Sequence, residues 1–351
     1  MSEIDKKKNR SRRRTLSTAE YVRGILEQNR AVMARAITLI ESNAAAHFEQ
    51  AQAVLNDILP HTGRSIRIGI TGIPGAGKST LIETLGLYLL EKGHKVAVLA
   101  IDPSSSISGG SILGDKTRMA ELAQHPHSFI RPSPSGGALG GVSRKTRETI
   151  LVVEAAGYDI IIVETVGVGQ NEITVRSMVD FFLLLQIAGG GDELQGIKKG
   201  VIELADAICI NKAEGENKAR AEAARQELNM ALHYLAPATP DWQTRCFTCS
   251  ALTGEGIPEL WRTVLAHQKI TTANGYWTSR RQKQNLDWMH ALIDEQLRAL
   301  FQQHARVREL LPEIETAVTR GELLATAAAH RLLQVFARGD AAGMGSKREE
   351  G

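Results

Sequence analysis

An α/β fold is predicted, a mostly parallel sheet flanked by helices with helical extensions at both ends. Three observations predict it. Residues 72–79 form a glycine-rich loop between an apolar, β-branched run and a helical run. Further short apolar runs recur downstream, each ending in a polar or acidic cluster. Before residue 60 and after residue 277 the apolar residues recur at helical spacing instead.

The loop reads Gly72-Ile73-Pro74-Gly75-Ala76-Gly77-Lys78-Ser79, followed by Thr80, and has the form G-x-x-x-x-G-K-[ST]. Ile66–Thr71 reads as a buried strand and Thr80–Leu85 as a helix, which is the context this phosphate-binding motif requires. The glycines let successive N–H groups turn onto phosphate oxygens. The helix N-terminus adds its partial positive charge. Lys78 can reach the β- and γ-phosphates, and the Ser79 hydroxyl can ligate Mg²⁺. The glycine order G-x-x-G-x-G does not fit the dinucleotide fingerprint.

The remaining runs follow the order of a P-loop GTPase. Val96–Ile101 reads as a strand ending in Asp102-Pro103-Ser104-Ser105-Ser106. The carboxyl end of a parallel strand is where ligands bind in open α/β sheets, which makes Asp102 a candidate. Ile160–Val163 ends in Glu164-Thr165-Val166-Gly167, an acidic-x-x-Gly switch. Glu164 stands where a metal-linked carboxylate belongs, and Gly167 can give its N–H to a γ-phosphate. Ala207–Ile210 runs into Asn211-Lys212-Ala213-Glu214, which is similar to the guanine-reading N-K-x-D motif. The final strand ends in Ser250-Ala251-Leu252, the usual second contact to the base. Each later motif is weak alone; their ordered recurrence at strand ends makes the set strong.

Two positions depart from that pattern. Glu214 replaces Asp with the same carboxylate on a longer stem. A carboxylate accepts from the N1–H and the exocyclic amine of guanine, so guanine preference is expected to survive with weaker affinity. ATP use stays open. Val168 follows the switch glycine where Ras-like proteins carry a water-orienting Gln. Gln170 lies two residues on. Slow intrinsic turnover, accelerated by a partner or a rearranged switch, is expected.

The stretches Gly72–Thr80, Asp102–Ser106, Gly109–Met119 and Glu164–Gln170 resemble the MeaB/ArgK family of G proteins. The likeness runs from about Leu16 to Phe336. These proteins are GTPase chaperones of adenosylcobalamin-dependent methylmalonyl-CoA mutase, with the older label "LAO/AO transport system kinase". The resemblance implies GTP or GDP as ligand and Mg²⁺ surrounded by Ser79, Asp102, Asp115 and Glu164. It implies catalytic roles for Lys78, Asp102, Glu164 and Gly167. It places Asn211, Lys212, Glu214, Ser250, Ala251 and Leu252 around the base. It assigns a first switch at Gly109–Met119, a second at Glu164–Glu172 and a third at Gly189–Gly200 that signals to the mutase. Three consecutive glycines suit neither a helix nor a strand interior, so the third segment is expected to leave a sheet edge after Phe181–Ile187.

Composition agrees. The 351 residues exceed one typical domain, and a net charge of +3 gives no electrostatic case for nucleic acid. The basic run Lys6–Arg14 reads as a solvated tail. No apolar stretch reaches a membrane span, and no apolar core follows the basic run as a secretory signal requires. Three cysteines suit a reducing cytosol. Cys246-Phe247-Thr248-Cys249 reads as core strand, since no second pair accompanies it.

The expected organisation is a tail over 1–15, a helical extension over 16–60, the nucleotide domain over 61–270, a helical arm over 271–338 and a tail over 339–351. Ser17-Thr18-Ala19-Glu20 is a capping box. Helices are expected over Lys145–Ala156, Asn217–Tyr234, Ile257–His267, Val307–Val318 and Leu323–Phe336, with Ala341–Gly351 a disordered tail. Leu286, Met289, Ile293, Leu297 and Leu300 form one apolar stripe, read by itself as core. The resemblance implies instead a dimerisation arm and a homodimer, with Trp277, Arg281, Gln284 and Trp288 on a face for that interface. A nucleotide-dependent protein kinase linked to arginine/ornithine transport is the alternative. No acceptor-positioning site for it is evident. A nickel-insertion GTPase is weaker, because no His- or Cys-rich segment is present.

Overall fold

The computed structural model describes residues 16–42, 44–101, 119–132, 139–165, 171–189 and 199–344. Expectations for residues 1–15, Asp102, Asp115, Gly167, Val168, Gln170 and most of the first and third switches lie outside them. The described chain divides into two compact units, Met1–Arg281 and Gln282–Gly351.

In chain order the elements are α1 (Thr18–Leu26), α2 (Arg30–Ile40), α3 (Ala45–Ile58), β1 (Ile66–Gly72), α4 (Lys78–Glu91), β2 (Val96–Ile101), α5 (Ala120–Gln124), β3 (Ser128–Arg131), α6 (Leu139–Ala155), β4 (Ile160–Thr165), α7 (Asn171–Arg176), β5 (Phe181–Ile187), α8 (Lys199–Leu204), β6 (Ala207–Asn211), α9 (Lys218–Leu232), β7 (Arg245–Thr248), α10 (Ile257–Ala273), α11 (Tyr276–Gln303), α12 (Ala305–Thr319) and α13 (Ala325–Met344). The seven strands form one parallel sheet in the order β3-β2-β4-β1-β5-β6-β7. Near-continuous apolar strands are what a parallel sheet covered on both faces requires.

Alternation sorts the two faces. Ala97, Leu99 and Ile101 of β2 join Ile161 and Val163 of β4 in a cluster with α1–α3 and α6. Val96, Val98, Ile160 and Ile162 point the other way, onto Leu81, Leu85 and Leu89 of α4 and Leu260 and Val264 of α10. The N-terminal helices therefore complete the core over one face. Ser17 caps α1 with the reciprocal Glu20 bond. Asn29 caps α2 through the N–H groups of Ala31 and Val32. Between them Gln28 takes a positive φ of 57°, and its side chain accepts from Lys95 Nζ at 3.0 Å.

The amino ends of β5 and β6 hold the polar anchors. Asp206 is fully buried. Its Oδ1 accepts from Arg176 at 3.1 Å and from the Thr239 hydroxyl at 2.7 Å. Its Oδ2 accepts the Phe182 N–H at 2.9 Å and faces Arg280 at 3.8 Å. The Asp206 carbonyl accepts the Trp242 indole N–H at 2.7 Å. Burial pushes the carboxyl up, but Arg176, His267 and Thr239 together hold it below the usual range. Asp180 takes a two-pronged bond from Arg281, at 2.8 and 2.6 Å.

Several expectations are corrected. β3 is an edge strand that the sequence reading missed, because Ser-Phe-Ile-Arg is too short to show a period. α6 begins at Leu139 rather than Lys145, and α10 continues past His267 to Ala273 because Thr271 stays buried against its neighbours. Residues 341–344 belong to α13 rather than to a disordered tail. β5 lies inside the sheet, so the segment after it leaves a strand end and not a sheet edge. Arg281 donates to the Gly63 and Ser65 carbonyls and stacks on Trp277 at 5.0 Å, so both side chains serve the first unit internally.

The second unit has its own small core. Val307, Ile314, Ala328 and Leu332 pack with Phe301 and Phe336 between α12 and α13. The stripe Leu286, Met289, Ile293, Leu297 and Leu300 is not core in the single chain: each side chain is 45–57% exposed. Among the described residues no helix is long and apolar enough to cross a membrane.

Candidate functional site

The phosphate loop leaves the central strand β1 and enters α4. Gly77 sits at the helix N-cap with φ 89°, and a Cβ there would lie 2.6 Å from the Asn211 amide nitrogen. At Gly72 a Cβ would meet the Leu185 carbonyl of β5 at 2.2 Å. Both positions exclude a side chain by close approach. Pro74 and Gly75 are exposed at the tip, whereas Ala76 is buried. Thr80 lies in the first turn of α4.

Lys78 is folded onto its own loop. Its Nζ donates to the Gly72 carbonyl at 2.7 Å and the Ile73 carbonyl at 3.1 Å. Burial lowers its pKa, with the Glu164 and Glu172 charges opposing that shift. An ammonium so placed gains more than a solvated one from an arriving phosphate. Ser79 Oγ donates to Glu164 Oε1 at 3.2 Å, joining α4 to the end of β4. The hydroxyls of Thr71 and Thr165 share a hydrogen bond at 2.8 Å beneath them.

The base loops lie at the ends of β6 and β7. Asn211 is buried and joins three segments. Its Nδ2 donates to the Ala76 carbonyl at 2.8 Å, and its Oδ1 accepts the Ala251 N–H at 2.9 Å. The Cys249 thiol reaches the same oxygen at 3.5 Å. Lys212 follows with a positive φ of 61°. Glu214 is half-buried, and its Oε2 is enclosed without a hydrogen-bond partner among the described residues. A buried carboxylate oxygen left in that state is costly unless a donor arrives. Ser250 is buried and accepts the Thr253 N–H at 3.0 Å. The Leu252 side chain is 77% exposed.

The structure thus brings Lys78, Ser79 and Glu164 together at the phosphate loop. Asn211, Ser250 and Ala251 meet at the base loop. Asp102, Asp115 and Gly167 lie outside the described residues. Sequence reasoning missed Thr71, Thr84 and the Leu185 carbonyl, none of which stands in a motif, and gave no role to Thr165 at a variable position of the second switch. Cys246 and Cys249 are buried core residues, and burial pushes the Cys246 thiol up to about 12. Such a thiol is a poor thiolate ligand at neutral pH.

A phosphate loop on the central strand of a parallel sheet, with polar loops gathered at the same strand ends, defines a P-loop nucleoside triphosphatase. Comparison with known proteins narrows the class. The family described as "Methylmalonyl Co-A mutase-associated GTPase MeaB" matches residues 33–306. GTPase ArgK of Escherichia coli is 50% identical over 279 residues, covering 80% of this chain and 84% of that protein. The Mus musculus protein named "Methylmalonic aciduria type A homolog, mitochondrial" is 45% identical over 323 residues, covering 89% and 78%. A crystal structure described as an LAO/AO transport system kinase matches with a TM-score of 0.74 at 38% identity, covering 91% of this chain and 97% of that one. The chain belongs to the MeaB family of P-loop GTPases and is a GTPase.

Proposed function

We propose that this GTPase is a chaperone of adenosylcobalamin-dependent methylmalonyl-CoA mutase, protecting it and gating cofactor loading. The observation that carries the nucleotide reading is the pairing of a primed phosphate loop with the enclosed Glu214 oxygen, which has no hydrogen-bond partner among the described residues. Asn211 ties the two loops together. The partner follows from the family's description.

In this reading residues 72–80 cradle the phosphates with their N–H groups. Lys78 leaves the Gly72 and Ile73 carbonyls to meet the phosphate charge. Glu214 accepts from guanine, with Asn211, Lys212, Ser250, Ala251 and Leu252 forming the surround. Ser79 and Glu164 supply hard oxygen donors 3.2 Å apart, a donor set that suits Mg²⁺. Asp102 and Asp115 would complete it. When bound, the ion neutralises charge on the phosphate oxygens. Gly167 gives its N–H to the γ-phosphate. Val168 cannot orient a water, so turnover is slow until the partner rearranges the second switch.

The exposed stripe on α11 is the homodimer surface, and the protein works in the cytoplasm. The functional parts are helices over 16–60, the G domain over 61–270 and a helical arm from residue 271 that continues through Met344. Size-exclusion chromatography of the full chain with the mutase tests the partner. The complex is expected to differ in stability between GDP and a non-hydrolysable GTP analogue. Co-elution with neither nucleotide would remove the mutase as partner and return the kinase reading.

A further inference from the structure

Ala251 is held through both of the peptide groups that flank it. Its N–H donates to Asn211 Oδ1 at 2.9 Å. Its carbonyl accepts the Thr84 hydroxyl at 2.6 Å, from a residue 167 positions away in sequence. Thr84 lies on α4, the helix that opens with Lys78 and Ser79. Its hydroxyl also lies 3.0 Å from the Thr80 carbonyl, the usual back-bond of a helical threonine. A hydroxyl has one proton, so the shorter contact to Ala251 takes it and the longer one shares it. The Thr84 methyl lies 4.0 Å from the Cβ position of Gly254, in the same loop.

These bonds close a ring. From Ala76 the path runs along the phosphate loop into α4, through Thr84 to Ala251, through Asn211, and back to the Ala76 carbonyl at 2.8 Å. Ser250 N–H to the Glu255 carbonyl and Gly254 N–H to the Ser250 carbonyl, both 2.9 Å, stiffen the loop within that ring. Asn211 is held by the fold of β6 and fixes only the peptide group before Ala251. The Thr84 bond fixes the peptide group after it, so the two together set the orientation and height of the loop.

We propose that Thr84 is a positioning residue for guanine-nucleotide binding, acting through the Ala251 carbonyl to hold the base loop at a fixed distance from the phosphate loop. The proposal rests on the reading of the base site given above. Thr84 lies outside both nucleotide motifs and acts through the Ala251 carbonyl. Its removal loosens the base loop while leaving the phosphate loop's own bonds intact, so base and phosphate affinity separate.

The test uses the full chain, its Thr84→Val and Thr84→Ala variants without the hydroxyl, and Thr84→Ser with it. Binding of GDP and of inorganic tripolyphosphate is measured by calorimetry, with thermal unfolding as the folding control. Loss of one hydrogen bond's worth of loop order predicts GDP binding weakened about three- to tenfold in Thr84→Val and Thr84→Ala. Tripolyphosphate binding is unchanged in both, and Thr84→Ser restores GDP binding. Parental GDP affinity in Thr84→Val, an equal loss for both ligands, or a Thr84→Ser variant as weak as Thr84→Val overturns the proposal. Failure of the parent itself to bind GDP overturns the base-site reading beneath it, and is told apart because it needs no variant.

Discussion

Replacing Asp206 by Asn isolates the buried charge at the amino end of the sheet. Both carboxylate oxygens are used: Oδ1 faces Arg176 and Thr239, and Oδ2 faces the Phe182 N–H and Arg280. An amide has one oxygen, so whichever way it turns, its NH₂ confronts donors. Flipped one way it loses the guanidinium bond; flipped the other it loses the β5 backbone bond. The guanidinium of Arg176 then stays buried without its counter-charge. Breaking one side of a buried pair costs about 3–5 kcal/mol, a large part of a stability of roughly 5–15 kcal/mol. Urea unfolding at pH 7, followed by circular dichroism, reads that loss. The sign with pH also follows. A carboxyl held below its ordinary value contributes fully above the unfolded pKa of about 4, and its contribution fades as pH falls through the lowered folded value. The gap between parent and variant should therefore narrow on acidification below about pH 4. A loss under about 1 kcal/mol at pH 7, or a gap that stays constant in acid, would mean that the Asp206 charge does not anchor this end of the sheet.

Three other outcomes are expected. Gly77→Ala puts a methyl 2.6 Å from the Asn211 amide at a φ of 89°, so GDP binding by calorimetry should weaken at least about tenfold; unaltered affinity would mean the loop adapts. Glu214→Gln keeps the shape but loses a charged acceptor, which predicts GDP binding weaker by about 10- to 150-fold, with ADP binding little changed. The double variant Ile293→Glu, Leu297→Glu alters half-exposed positions, so stability should shift by less than about 0.5 kcal/mol at either site while light scattering moves from dimer to monomer. A parent already monomeric would end the homodimer reading.

The nucleotide loops were legible in sequence because each is a run of adjacent residues with its chemistry in order. β2 and β4 were legible as strands too, from apolar runs of six and four residues at Val96–Ile101 and Ile160–Val163, as a doubly covered strand requires. What escaped depends on partners far apart in the chain. Thr84 carries no local mark, and its partner Ala251 is brought to it by folding. Trp242 and Thr239 follow no motif and no apolar period, yet both bond Asp206. Gln28 at a positive φ divides α1 from α2, where apolar spacing alone suggested continuity. The α11 stripe has the period of a core helix, and spacing cannot say whether its cover comes from the same chain.

Phosphate release reads out whether this GTPase is a guanine-nucleotide switch that answers to the mutase. Release is measured from GTP and from ATP, with and without methylmalonyl-CoA mutase from the same source. Slow turnover of GTP, little or none of ATP, and a clear acceleration of GTP turnover by the mutase are expected. Preference for ATP, or a GTP rate that the mutase leaves unchanged, would contradict the proposed function.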